Sequence, residues 1–280
     1  MSPNVARAVL PSSLPEIEPE RPRLDEQADV PILEARKDGY AAWLETVVHR
    51  AYPFAASYTI ANLASFLVTG TGIAVGLLLT KVLLPIGGLD ELDERLPGWF
   101  EDRRTPFLDS ASYWMSLIGA DFLVVLISIT VIVFAFRRKW RIAGFLLTAI
   151  VIEVTTYRLI AGTVGRERPD VAPLDHLNPK HSFPSGHTAA SVAVYCGIAL
   201  LLTSRVKATW LRIAIWTPAI AIPVLVAVSR LYRGEHHVTD VVGGAMLGTG
   251  AILVALLATR AGIVASERRE VQAPTEEPAA

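Results

Sequence analysis

Five of the six histidines, His176, His181, His187, His236 and His237, fall in one stretch crowded with other polar groups. That stretch reads Gly-Arg-Glu-Arg-Pro at 165–169, Phe-Pro-Ser-Gly-His at 183–187 and Ser-Arg-Leu-Tyr-Arg-Gly-Glu-His-His-Val-Thr-Asp at 229–240. An imidazole can serve as nucleophile or as proton donor near neutral pH. Arg168 and Arg230 carry planar donor forks that match a tetrahedral oxyanion. Ser185, Gly186 and His187 open an apolar run that reads as a helix. Free backbone N–H groups at such a start, with a glycine allowing close approach, make an anion site. Asp240 follows His236 by four residues, so on a helix the two side chains share a face. A carboxylate there holds the imidazole in one tautomer and raises its basicity. His187 is then free to protonate a leaving oxygen. One nucleophile, one acid and several positive donors describe phosphoryl transfer without a metal. A zinc site finds no support, because no two histidines are spaced by three residues on one helix. No metal and no cofactor is therefore expected.

The elements that must carry these groups are membrane helices. The chain has 280 residues, 52% of them hydrophobic, and a mean hydropathy of +0.41, too apolar for an ordinary soluble domain. A net charge of -1 gives no reason to expect a nucleic-acid partner. Cys196 is the only cysteine and lies in an apolar run, where it reads as a packed hydrophobe. About 20 mostly apolar residues are needed for a crossing. Six stretches qualify: 54–80, 119–136, 142–162, 188–204, 213–229 and 241–259, with Glu153 inside the third. Basic loops at 137–141, 205–212 and 260–269 fall on one side of such a bundle, which the positive-inside rule makes cytoplasmic together with both termini. The histidine- and arginine-rich segments then face the extracytoplasmic surface. Ionisable groups at this depth mark a functional site by default. Two amphipathic stretches, 40–52 (Trp43, Leu44, Val47, Val48 and Ala51 on one face) and 90–104, read as interfacial helices. The expected architecture is all-α, a six-transmembrane helical bundle with an extracytoplasmic-facing active site. Its parts are a disordered cytoplasmic tail at 1–37, the interfacial helix, first crossing and outer amphipathic helix at 38–104, a core at 105–260 and a second cytoplasmic tail at 261–280.

The three polar segments resemble the type-2 phosphatidic acid phosphatase superfamily, which includes vanadium haloperoxidases. Arg168-Pro169, Pro184-Ser185-Gly186-His187 and Ser229-Arg230 followed by His236 and Asp240 match that pattern in identity, order and spacing, and the resemblance covers about residues 105–258. It implies that His236 attacks phosphorus to form a phosphohistidine, that Asp240 orients His236 and that His187 protonates the leaving alcohol and then activates water. It also implies that Arg168, Ser185, Gly186 and Arg230 hold the phosphate oxygens. The pattern's first lysine would fall at Ala161. Arg158, one turn earlier, is the candidate replacement, with Arg166 and Lys180 as other sources of charge and an ion pair with Glu153 as the structural alternative for Arg158. His176, His181 and His237 carry no motif role and read as surface or supporting groups. The implied activity is metal-free hydrolysis of a membrane lipid phosphate such as phosphatidate, phosphatidylglycerophosphate or a polyprenyl diphosphate. A lipid phosphotransferase and a non-catalytic lipid-phosphate-binding membrane protein are the alternatives. The partners implied are the lipid substrate and the bilayer.

Overall fold

The computed structural model describes residues 30–34, 39–51, 56–86, 88–175 and 177–272. Its regular elements are helical: α1 (Tyr40–Ala51), α2 (Ala56–Leu78), α3 (Leu89–Glu101), α4 (Pro106–Ile118), α5 (Asp121–Phe136), α6 (Trp140–Val164), α7 (Gly186–Ser191), α8 (Gly197–Thr203), α9 (Thr209–Tyr232) and α10 (Val238–Gln272). Among the described residues, six helical runs are long and apolar enough to cross a membrane: Thr59–Leu83, Pro106–Phe136, Trp140–Val164, Gly186–Thr203, Thr209–Tyr232 and Val238–Ser266. Helices satisfy every backbone donor and acceptor within themselves, which is why a lipid-facing chain takes this form. A π-helical turn, Leu79–Leu83, extends α2, and another, Val192–Cys196, joins α7 to α8.

The second crossing differs from the expected 119–136 by an additional helix. α4 starts at a Thr105 cap, whose hydroxyl accepts from Leu108 N at 3.3 Å, with Pro106 in the first turn. It breaks at Gly119-Ala120 before α5. Hydropathy hides α4 because Asp109, Ser112 and Ser116 interrupt it. Ser112 and Ser116 are buried and turn inward to arginines described below.

α10 packs against α2, α6 and α7. Without a hydrophobic drive between helices in lipid, close backbone approach supplies the attraction. Gly244 permits it: a Cβ there would lie 2.4 Å from the Ser185 carbonyl oxygen. This contact seats the start of α10 on the start of α7, where the site lies. Deeper in the bundle, Phe145, Leu146, Leu123, Val194 and Ala255 form the main core cluster.

Two boundaries move. Most of the expected tail at 1–37 lies outside the described residues, but Val30 and Leu33 are buried in the main cluster around a single 3₁₀ turn. Arg260 Nε and Nη2 donate to the Ile32 carbonyl at 3.0 and 2.8 Å and tie this turn to α10. At the other end α10 runs to Gln272, well into the stretch expected as tail. On α1 it is Ala41, Ala42 and Glu45 that are buried, while Trp43 and Val47 are exposed. The small residues let α1 lie close to α10, with Leu44 packed beside Ile60 and Ala261 and with Trp43 and Val47 turned outward.

Candidate active site

The end of α6, the segment 165–185, the start of α7, the end of α9 and the start of α10 meet at one end of the bundle. His236, on the turn between α9 and α10, is 2% exposed. Its Nδ1 lies 2.7 Å from the Ser182 carbonyl. A carbonyl only accepts, so Nδ1 carries the proton and Nε2 keeps the lone pair. Burial lowers this imidazole to about 4 against the pull of Asp240, so the ring is neutral near pH 7. A neutral, fixed imidazole with a bare Nε2 is a competent nucleophile.

Asp240 is fully buried and acts on His236 chiefly through Ser182. Its Oδ2 is 3.7 Å from His236 Nδ1, too far for a hydrogen bond. The same carboxylate accepts from Ser182 Oγ at 2.6 Å, His237 N at 2.8 Å and Arg166 Nη1 at 2.5 Å. Ser182 thus receives the carboxylate on its hydroxyl and holds the imidazole with its carbonyl. The Ser185 amide donates to the Asp240 carbonyl at 2.9 Å, which locks the starts of α7 and α10 together.

Above these starts lies α3. Asp93 accepts from Arg166 Nη2 at 2.8 Å and from Thr239 N at 3.1 Å. Glu94 lies 2.7 Å from His237 Nε2, whose Nδ1 is 3.1 Å from Asp240. Burial alone would lower the His237 imidazole, but the Asp240 and Glu94 carboxylates outweigh it and hold it above its ordinary value. His237 is therefore a strut under α3 whose charged form its two carboxylate partners favour, buried rather than on the surface.

The two arginines expected to grip an anion both meet Glu235. Arg168 Nη1 is 2.9 Å from Glu235 Oε2, and Arg230 Nη2 is 3.8 Å from the same oxygen. Arg168 is oriented further by the carbonyls of Asn178, at 2.9 Å, and of Glu235. Arg230, fully buried, donates through Nη1 to Ser116 Oγ at 2.6 Å and Asp175 Oδ2 at 2.8 Å. Its Nε and Nη2 have no hydrogen-bond partner among the described residues. Two buried guanidinium donors thus remain available for an oxyanion. Asp175 also binds Arg233, at 2.9 and 2.5 Å. Burial would raise its carboxyl, but Arg233 and Arg230 bring it down to about 2.

His187 is half-buried in the first turn of α7, within electrostatic range of Arg230, His236, Asp175 and Arg168. Ser185 is buried and its hydroxyl accepts from Thr188 at 3.0 Å. A Cβ at Gly186 would lie 2.9 Å from the Tyr157 ring, so any side chain there would have to push that ring aside. His236, Asp240, His187, Arg168, Ser185, Gly186 and Arg230 are all brought together. Arg158 is not. It is exposed on α6 beside Leu159, which is also outward, while Tyr157 and Ala161 turn into the bundle. Three residues is about 300° of helix, so a residue one turn before Ala161 misses its direction by about 60°. Glu153 is buried, and the alternative pair between it and Arg158 does not occur among the described residues. Arg166 is committed to Asp240 and Asp93, Lys180 is exposed, and His181 is half-buried. His176 lies outside the described residues.

Residues 142–262 match the PAP2 superfamily. Phosphatidylglycerophosphatase B of Bacillus subtilis is 33% identical over 149 residues, covering 52% of this chain and 72% of the relative. The chain belongs to the PAP2 superfamily. An undecaprenyl-diphosphatase of Sulfolobus acidocaldarius is 31% identical over 147 residues, covering 51% of this chain and 66% of that protein. The crystal structure of the first transmembrane PAP2 type phosphatidylglycerolphosphate phosphatase from Bacillus subtilis superposes with a TM-score of 0.58 at 25% identity, over 74% of this chain and 98% of that one. This PAP2 protein is a multi-pass membrane enzyme and a phosphoric ester hydrolase.

Within the PAP2 site, sequence reading passed over Ser182, Asp175, Glu235, Asp93 and Glu94. Ser182 and Glu235 stood beside matched segments, and acids interleaved with arginines that face a membrane are a readable sign of ion pairs. Which acid meets which arginine depends on how the 165–185 segment folds back, and no periodicity encodes that.

Proposed function

We propose that this PAP2 enzyme hydrolyses a lipid phosphate monoester or diphosphate, of the phosphatidate, phosphatidylglycerophosphate or polyprenyl diphosphate type, at the extracytoplasmic membrane surface. The reaction runs through a phosphohistidine and without a metal. The supporting observation is the neutral His236 ring, fixed at Nδ1 by the Ser182 carbonyl, in the same cluster as His187 and the partly unpaired Arg230.

In the first step the Nε2 lone pair of His236 attacks phosphorus. The bond to the leaving oxygen breaks, and that oxygen takes a proton from His187. In the second step His187 removes a proton from water, the hydroxide oxygen attacks phosphorus, the P–N bond breaks and inorganic phosphate leaves. Arg168, Arg230 and the Gly186 amide at the start of α7 stabilise the charge that grows on the equatorial oxygens. Helix ends near the headgroup layer suit a substrate whose apolar tail stays in the bilayer.

The full chain in detergent, offered these three lipids, is expected to release inorganic phosphate in the presence of a chelator and to be inhibited by orthovanadate. His236→Ala is expected to lower turnover by about 10³-fold or more. His187→Ala is expected to cost about 10²- to 10⁴-fold. A strict requirement for a divalent cation, or unchanged turnover in His236→Ala, would overturn the mechanism. Transfer of phosphate to an added alcohol with no release of free phosphate would make the enzyme a phosphotransferase.

A further inference from the structure

We propose that Glu235 is the resident counter-ion of the phosphate site, displaced electrostatically by the substrate and protonated as the substrate binds. This rests on the reading of Arg168 and Arg230 as the phosphate grip. Glu235 is fully buried one residue before His236, with Oε2 at 2.9 Å from Arg168 Nη1 and 3.8 Å from Arg230 Nη2. The clamp is poorly made. Oε2 accepts no aligned hydrogen bond, and Arg230 Nε and Nη2 donate none among the described residues. Groups that are close but misaligned give each other up at lower cost than a bidentate pair.

The charges facing Glu235 come from three directions. Arg168 and Asp175 belong to the 165–185 segment, and the Asp175 amide donates to Oε1 at 3.2 Å. Arg230 comes from the end of α9, and Arg233 from the turn after it. His236 is its chain neighbour, and His187 of α7 lies within range of the same two arginines. A dianionic phosphate taking the donors of Arg168 and Arg230 would stand beside a buried carboxylate. Two like charges in one desolvated site do not both stay ionised. Burial already raises the Glu235 carboxyl, with the two arginines pulling the other way, so removal of their pull pushes it further up. The proton has a path. Glu235, Arg168, Asp175 and Gly234 border a cavity of about 630 Å³ whose wall also includes the exposed Lys180 and Glu167. On binding, the carboxylate takes one proton from solvent and becomes an O–H donor. On release of phosphate the proton returns to solvent and the carboxylate to the arginines.

The test uses tungstate, a tetrahedral dianion with no titrating proton near neutrality, and the full chain in detergent. Calorimetric titration in two buffers of different ionisation enthalpy counts protons taken up. Glu235→Gln is expected to take up fewer protons than the wild type, by close to one, and to bind tungstate about tenfold more tightly at about pH 8. Difference infrared spectra of the wild type are expected to gain a protonated-carboxyl band on tungstate addition, a readout independent of whether the variant folds. An unchanged proton count and affinity in Glu235→Gln, weaker binding, or no new carboxyl band would each overturn the proposal. Failure of the wild type to bind tungstate at all would instead sink the phosphate-site reading on which it stands, and this proposal with it.

Discussion

At the scale of single residues, the chemistry turns on keeping the His236 imidazole neutral. His236 is lowered to about 4 from an ordinary 6.5, so the folded chain resists its protonation. A depressed folded value gives stability that is fully present above pH 6.5 and is lost as pH falls towards 4. Thermal unfolding between those limits is expected to show a falling melting temperature in the wild type and a shallower fall in His236→Asn. Equal slopes would show that the ring is not held neutral. His237 has the opposite sign, since its pairing with Asp240 and Glu94 favours the charged form and is lost as pH rises. The sequence pointed to His236 and Asp240 by their spacing of four, but not to the way they interact. The intermediary is Ser182, which binds the carboxylate through its hydroxyl and the ring through its carbonyl. A backbone carbonyl has no side-chain identity, so no motif could reveal it. Arg158 shows the reverse case: a plausible charge on the right helix, turned away by its rotation about the axis.

Among the elements, α3 has the most to tell. Its amphipathic pattern was legible as a surface helix, yet the face that matters is acidic. Asp93 joins Arg166 and Thr239, while Leu92 and Trp99 stay exposed. Asp93→Ala leaves the 8%-exposed Arg166 with one carboxylate partner in place of two. Breaking such a buried pair costs about 3–5 kcal/mol. The variant is expected to unfold at lower temperature and to lose turnover because Asp240 is no longer braced through Arg166. Unchanged stability would mean α3 merely rests on the bundle. α10 has a similar dependence on one small residue. At Gly244 a methyl group would meet the Ser185 carbonyl oxygen at 2.4 Å, a backbone atom that can move only with α7. Gly244→Ala is expected to remain membrane-inserted while losing turnover by about tenfold or more, because a shift of about 1 Å misaligns the reacting groups. Full activity would show that the two helix starts tolerate separation. α4 escaped sequence reading for a related reason: the serines that break its hydropathy serve Arg230 and Arg233.

For the whole molecule, the six-crossing plan was legible because lipid imposes length and apolarity on every span. The ends were less so. Residues 30–34 pack into the core through Val30, Leu33 and the partly buried Ile32, too short a signal for any window of hydropathy. The side of the membrane on which the site opens is read from the basic loops alone, and it can be measured. In a Cys196→Ser background, Ala172→Cys at the site end is expected to react with a membrane-impermeant maleimide in intact cells. Lys207→Cys at the opposite end is expected to react only after permeabilisation. The reverse pattern would place the site in the cytoplasm. The central claim is tested most directly by trapping the intermediate. The enzyme is mixed with a radiolabelled lipid phosphate, quenched in alkali within the first turnover, digested and sequenced. An acid-labile, alkali-stable phosphate on the peptide containing His236 is expected, raised in His187→Ala and missing in His236→Ala. Label on any other side chain, or turnover in His236→Ala at the wild-type rate, would contradict it.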